Sequence, residues 1–327
     1  MFSSNRHPTP GAIPLLLTSS RDDCMPVWAA ARCTSAAFPY FKPFRWQGQT
    51  LLDGGFKLNC PAAAALSEAE SIWPDKPCDI MLSLGTGKAT VLNRLSTHNL
   101  VRLMTDITEA VLDTEDSWKK FTAATPQKFG IFRINPVYTG TGYELDDFKK
   151  LNEIQEQVEG WLDQHDHEIT AACDQLIASL FYYVPIGAIN NGEQKGTILC
   201  RLPVDIAARQ SLLDGMRRRT DTNIFLVQFV GSPRLDMPID VLGSLRAVQI
   251  GEELRIPVQL RDLPEAGGIT IQIQMRSLFE TKSSFVTESH ISGSPYVLHG
   301  GVSRTKSNMT DLRPNPRVAA GLHSWPN

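Results

Sequence analysis

Val27-Trp28-Ala29-Ala30-Ala31-Arg32-Cys33 and, after it, Thr50-Leu51-Leu52-Asp53-Gly54-Gly55 decide how the first half of this chain reads. Pro26 suits the first turn of a helix, and the alanines behind it have strong helix propensity. Pro39 and Pro43 end that helix and carry the chain into a turn. Phe44-Arg45-Trp46 and Thr50-Leu51-Leu52 flank Gln47-Gly48-Gln49, which predicts a hairpin, and Asp53-Gly54-Gly55 breaks its second strand. Pro61 then opens another alanine-rich helix, from Ala62 to about Ser71.

Working outward, Asp79-Ile80-Met81-Leu82-Ser83-Leu84 is an apolar run ending in Gly85-Thr86-Gly87, the pattern of a strand buried in a parallel sheet. Helical stretches follow around 97–113 and 147–162, with Ile131-Phe132-Arg133-Ile134 as a strand between them. Phe148, Leu151, Ile154, Val158 and Leu162 recur at helical spacing and predict one buried face. Strands alternating with helices indicate an α/β layered architecture. Ahead of all this, residues 1–25 are rich in Pro and Ser, with one apolar run at 12–17 that reads as a strand.

From Phe181 to about Val302 helical periodicity nearly disappears. Strands are expected at 181–184, 197–200, 224–227, 254–260 and 269–275, the last alternating strictly, so that one face is buried and one solvated. Short strands separated by Gly, Pro, Asp and Ser predict a β-sandwich. The ending His290-Ile291-Ser292-Gly293-Ser294-Pro295-Tyr296-Val297-Leu298 faintly resembles the last strand of filamin-type immunoglobulin-like repeats. The expected organisation is therefore an α/β part over residues 1–180, a mostly β accessory domain over 181–302 and a flexible tail over 303–327.

Composition narrows the function. Hydrophobic residues make up 42% and charged residues 20% of the 327, as in ordinary globular proteins. A net charge of -3, with Arg217-Arg218-Arg219 as the densest basic cluster, argues against nucleic acid as a partner. Cys24, Cys33, Cys60, Cys78, Cys173 and Cys200 form no Cys-x-x-Cys pair and no zinc-spaced cluster, so reduced, mostly buried thiols and no metal are expected. No stretch approaches the ~20 apolar residues of a membrane span. A cytoplasmic protein is the expectation.

Asp53-Gly54-Gly55 is the candidate for chemistry. A carboxylate at a strand end, followed by two glycines, projects into a cleft while another backbone approaches closely. Such a group can hold and deprotonate a serine hydroxyl that attacks an acyl carbonyl. By itself the tripeptide is more often a tight turn.

Its context changes that balance. Val27-Trp28-Ala29-Ala30-Ala31-Arg32-Cys33-Thr34-Ser35-Ala36-Ala37, Tyr40-Phe41-Lys42-Pro43, Asp53-Gly54-Gly55, Asn59-Cys60-Pro61, Ile72-Trp73-Pro74-Asp75 and Leu82-Ser83-Leu84-Gly85-Thr86-Gly87 stand in this order. The series resembles the patatin-like phospholipases, especially fungal ones, over roughly residues 21–165. The resemblance implies part of a three-layer α/β/α domain and a Ser–Asp dyad in which Asp53 is the acid-base member. It implies hydrolysis of fatty-acyl esters of phospholipids or neutral glycerolipids, peripheral contact with a membrane surface, and no cofactor. The seven histidines are then surface residues, and Gly85-Thr86-Gly87 is a strand-end loop near the active site.

The chain departs from that pattern where it matters most. Patatin-like enzymes need a Gly-x-Ser-x-Gly elbow and a Gly-rich oxyanion loop, and neither occurs in these 327 residues. Cys33 and Cys60 stand where the family often has Ala and Asn. The expectation is a start truncated relative to the family, an uncovered sheet edge, and negligible activity of the chain as given. The alternative is a non-catalytic lipid- or protein-binding remnant beside an immunoglobulin-like β-domain.

Overall fold

The computed structural model describes residues 2–5, 14–16, 25–37, 40–56, 58–74, 76–90, 114–125, 130–140, 143, 148–203, 205–218, 224–229, 235–238, 253–264, 267–276 and 286–298. The helix expected around 97–113 and the tail from 303 onward lie outside them.

Strands β1 (Phe2–Asn5), β2 (Pro14–Leu16), β3 (Phe44–Trp46) and β4 (Gln49–Asp53) form one four-stranded sheet in the order β2-β1-β4-β3. Its pairings are antiparallel, with Phe44 opposite Leu51 and Ser3 opposite Asp53. The β3–β4 hairpin closes on Gln47 and Gly48, at φ of 45° and 76°. Two successive positive φ angles match the twist of a two-residue hairpin. Strand β1 was not anticipated, because Phe2-Ser3-Ser4-Asn5 carries no alternation to read. With β1 on one side and β3 on the other, β4 has no bare edge.

Helix α1 (Val27–Thr34) packs on β4, and its Cys33 is buried with Leu51 against Met25, Ala30, Phe44 and Trp46. Helix α2 (Ala62–Ile72) follows. Strand β5 (Ile80–Leu84) pairs in parallel with β7 (Gly130–Ile134), as an α/β layer requires. Strand β6 (Lys88–Ala89) pairs in parallel with β8 (Val137–Tyr138). Helices α3 (Thr114–Ala124), α4 (Leu151–Gln164) and α5 (Asp166–Ala178) complete this part. The buried face expected on 148–162 is only partly realised. Phe148 and Leu151 are 70% and 62% exposed, and no residue of α4 is fully buried. Its helical spacing found too little facing surface to cover it.

Beyond residue 180 the strands are longer than their apolar runs. Strands β9 (Phe181–Asn190) and β10 (Glu193–Cys200) meet at Asn191-Gly192, both at positive φ, and β13 (Leu254–Leu260) joins them in a sheet ordered β13-β10-β9. Strands β11 (Ile224–Phe229), β12 (Leu235–Pro238), β14 (Gly267–Arg276) and β15 (Val286–His290) form a second sheet, ordered β12-β11-β14-β15. Strand β16 (Tyr296–Leu298) also pairs with β14. Both sheets feed one buried cluster, with Phe181, Tyr183, Ile198, Ile256, Ile271 and Ile273 among its members. Gly196 lies under the Tyr183 ring, where a Cβ would meet ring carbon at 2.2 Å. The region also holds a helix where helical periodicity seemed lost. This helix, α6 (Ile206–Arg218), meets the cluster through Leu213 and Met216, with Leu212 packed beside them, a short patch that gives periodicity little to show.

The turn after β15 is tied to the first part of the chain, and α5 adds Ala178 to the buried cluster beyond it. Asp79, just before β5, accepts hydrogen bonds from the Ser292 hydroxyl at 2.7 Å and the Gly293 amide at 2.9 Å. Gln175 on α5 donates to the His290 carbonyl at 2.9 Å. Arg201 lies 4.7 Å over the Tyr182 ring and donates to Ser292 Oγ at 3.3 Å. Tyr296 closes the turn by donating to the Ser292 carbonyl, while its oxygen accepts from the Tyr183 amide at 2.9 Å.

Candidate active site

Asp53 is the last residue of β4, held in place from both chain directions. Leu51 and Leu52 before it are buried, and its own amide donates to the Ala36 carbonyl at 3.1 Å, joining the strand end to the loop after α1. Ala36 is fully buried, so that anchor is fixed. Oδ1 accepts from the Gly55 amide at 2.7 Å, a local turn that aims the half-buried carboxylate. The glycines act through space and not through φ. Neither Gly54 nor Gly55 has a positive φ, but a Cβ on Gly55 would sit 3.1 Å from Asp53 Oδ1 and press on the carboxylate. A short 3-10 turn, Gly54–Phe56, then leads away.

The Gly85-Thr86-Gly87 loop is gripped by the segment after β7. The Gly87 amide donates to Asn135 Oδ1 at 2.9 Å, and the Tyr138 hydroxyl donates to the Thr86 carbonyl at 2.8 Å. Asn135 and Arg133 both donate to Glu115 Oε1, each at 2.7 Å, and Arg133 reaches Ser83 Oγ at 2.8 Å. Gly87 stands at φ 107° under the Tyr138 ring, so a side chain there is excluded twice over. None of the bonds that hold this loop among the described residues runs to Asp53.

Along the hairpin that ends in Asp53 lies a feature that sequence reasoning passed over. Trp28 on α1 meets Phe44 and Trp46 of β3 edge-on, with centroids 6.2 Å apart in each pair, while Phe44 and Trp46 stack at 6.3 Å. The Arg32 guanidinium lies 5.8 Å from the centroids of both Phe41 and Phe44, and its Nη2 donates to the Lys42 carbonyl at 2.9 Å. The signal was available, since six aromatic residues fall between Trp28 and Trp46.

Cys33 and Cys200 are buried, Cys60, Cys78 and Cys173 only partly so, and all five are free thiols. The expectation of mostly buried cysteines holds for two of these. Burial pushes the Cys200 thiol up to about 12 and raises Cys33 and Cys78, so these three are not poised as thiolate nucleophiles. His290, expected at the surface, is half-buried, and burial lowers its pKa against an opposing pull from Glu288. His165 sits at the junction of α4 and α5, its ring stacked 4.0 Å from Trp161. Among the described residues no cluster of His, Cys, Asp and Glu could hold a metal ion, and no helix is long and apolar enough to cross a membrane.

The segment that builds the Asp53 turn also carries the likeness to known proteins. Residues 14–66 match the family model described as patatin-like phospholipase. The match takes in α1, the β3–β4 hairpin, Asp53-Gly54-Gly55 and the start of α2. Over 136 residues, 41% of this chain and 17% of the relative, it is 32% identical to calcium-independent phospholipase A2-gamma of Homo sapiens. The rabbit (Oryctolagus cuniculus) protein of that name is 30% identical over 147 residues, 44% of this chain and 18% of its own. Phospholipase A I of Arabidopsis thaliana is 26% identical over 160 residues, 46% of this chain and 12% of its own. The chain thus spans less than a fifth of the length of these curated relatives. No solved structure matches it.

Proposed function

We propose that this chain carries the acid-base aspartate of a Ser–Asp dyad, Asp53, and belongs with lipid acyl hydrolysis of phospholipid or glycerolipid esters. One observation carries the reading. Within the residues matching the patatin-like phospholipase model, Asp53 ends a strand with its carboxylate half-buried and aimed by Gly55. In this chemistry the serine hydroxyl passes its proton to Asp53 as its oxygen bonds to the acyl carbon. Asp53 returns the proton to the leaving alcohol, then takes one from the water that attacks the acyl-serine and passes it to the serine oxygen as the carboxylic acid leaves. Oδ1 is engaged by Gly55, so the reading assigns Oδ2 to the serine. The dyad needs no metal.

Nucleophile and oxyanion donors carry most of such a rate enhancement, and no Gly-x-Ser-x-Gly lies in these 327 residues. The proposal is therefore that the chain as given hydrolyses acyl esters negligibly. A chain extended upstream with a Gly-rich loop and a Gly-x-Ser-x-Gly segment is active. Asp53→Asn in the extended chain then lowers kcat by about a hundredfold or more and leaves folding intact. Turnover that survives Asp53→Asn, in either chain, means that the motif has been given the wrong chemistry.

A second reading rests on a different observation, that the large buried cluster lies in the two sheets beyond residue 180. On that reading residues 181–302 are a sandwich-like, immunoglobulin-like accessory domain, and the protein binds lipid or a protein partner without catalysis. It gains support if the extended chain stays inactive while lipid binding persists. Both readings place the protein in the cytoplasm with peripheral access to membrane.

A further inference from the structure

Val27, Trp28, Tyr40 and Phe41 are 78%, 63%, 51% and 54% exposed, on one helix and the loop beside it. Large aromatic side chains seldom face water together without a partner. These are also held rigidly. Trp28 is braced edge-on by Phe44 and Trp46, and Arg32 clamps the 40–44 loop through both its guanidinium–ring contacts and its bond to the Lys42 carbonyl.

Charge selects the occupant. Between Met25 and Leu52 there is no Asp or Glu, while Arg32, Lys42 and Arg45 are all cationic, although the whole chain carries a net -3. Lys42, next to Phe41 in the chain, and Arg45, between Phe44 and Trp46 on β3, are exposed. A second copy of this face would bring like charges together. An anionic bilayer would instead offer phosphates to the cations and a headgroup–acyl boundary to Trp and Tyr, whose rings are apolar at one end and polar at the other.

We propose that the Trp28–Tyr40–Phe41 face, with Lys42 and Arg45 at its side, docks this protein on anionic phospholipid bilayers. The face includes β3, whose partner strand β4 ends in Asp53, so docking brings the lipid surface to the hairpin that carries the candidate base. The inference deepens the hydrolase reading and rests on it for the purpose of docking, but binding is measured without hydrolysis.

The test uses the full chain with phosphatidylcholine vesicles, with and without phosphatidylserine, read by co-sedimentation and by quenching of tryptophan fluorescence with brominated acyl chains. Anionic vesicles should bind more tightly than neutral ones and quench. Trp28→Ala with Phe41→Ala should weaken binding by about tenfold or more. Lys42→Gln with Arg45→Gln should weaken it by about thirtyfold and erase the preference for phosphatidylserine. Unchanged circular dichroism would confirm that these surface variants fold. Equal binding by all variants, or no binding by the unaltered chain, overturns the proposal. So does a dimer formed without vesicles and lost in Trp28→Ala with Phe41→Ala, which would give the face to a second copy. Failure of the dyad alone shows differently, as vesicle binding intact in an extended chain that does not hydrolyse.

Discussion

Strands β13 and β3 both alternate along their length, yet their side chains meet different surroundings. In β13, Leu254, Ile256, Val258 and Leu260 are all buried, because they join a cluster to which residues of another sheet and a helix also contribute. In β3, Phe44 and Trp46 are only half-buried, covered by α1 and by each other. A strand pattern thus says which face is apolar but not how much protein stands behind it. The cluster beyond residue 180 unites two sheets and a helix, whereas the cluster around the Asp53 hairpin has only Cys33 and Leu51 fully buried. Stability is concentrated in one part of the chain, and accessible aromatic surface in the other.

The sharpest test of this contrast replaces one large side chain in each part. Ile271 is fully buried in the cluster that both sheets feed, so Ile271→Ala should cost about 2–5 kcal/mol in denaturant unfolding. Trp28, though larger, is 63% exposed, and Trp28→Ala should cost about 1 kcal/mol, the worth of its two edge-on ring contacts. Comparable losses from the two changes would show that the aromatic face is a core in its own right.

A smaller effect is expected at the tie between the parts. Asp79→Ala removes the acceptor of two hydrogen bonds and leaves the Ser292 hydroxyl and Gly293 amide without it. A loss of about 2 kcal/mol is expected, with Asp79→Asn recovering part because one acceptor oxygen remains. If Asp79→Ala unfolds at the same denaturant concentration as the parent chain, the Asp79 bonds contribute nothing and α5, through Gln175 and Ala178, holds the two parts together.

The sequence made the helix at 27–34, the hairpin at 44–53 and β13 readable, because each joins local propensity to a turn signal or to strict alternation. Asn191-Gly192 was an equally clear turn signal, and weighing it would have extended β9 and β10 to their full lengths. Strand β1 and the Asp79–Ser292 contact were not legible. The first lacks a pattern, and the second joins residues 213 apart through a turn whose position depends on the whole fold. At the candidate site, Asp53 was legible as a motif, but the role of Gly55 was not. It keeps a Cβ off the carboxylate, a matter of close approach that a glycine in a sequence does not distinguish from a need for positive φ.

The smallest effect expected is a pH dependence seated in the more buried part. The His290 ring lies on β15 opposite Gln272 of β14, and the Gln272 amide nitrogen stands 3.0 Å from His290 Nε2. An amide nitrogen only donates, so Nε2 accepts and the neutral ring carries its proton on Nδ1. Protonating Nε2 would set two donors face to face, and burial already lowers the pKa, with the Glu288 carboxylate opposing it weakly. The folded state therefore holds this ring neutral at a pH where the unfolded chain, near 6.5, begins to bind a proton. Over that interval the unfolded state binds more protons, so stability rises with pH. The contribution is fully present above about pH 6.5 and is lost as pH falls toward the lowered folded value. His290→Gln keeps a polar partner for Gln272 without a titrating ring, and should flatten the stability profile between about pH 5 and 6.5. Unfolding curves of the two chains across that range decide it, and an unchanged slope in His290→Gln would place the acid sensitivity elsewhere.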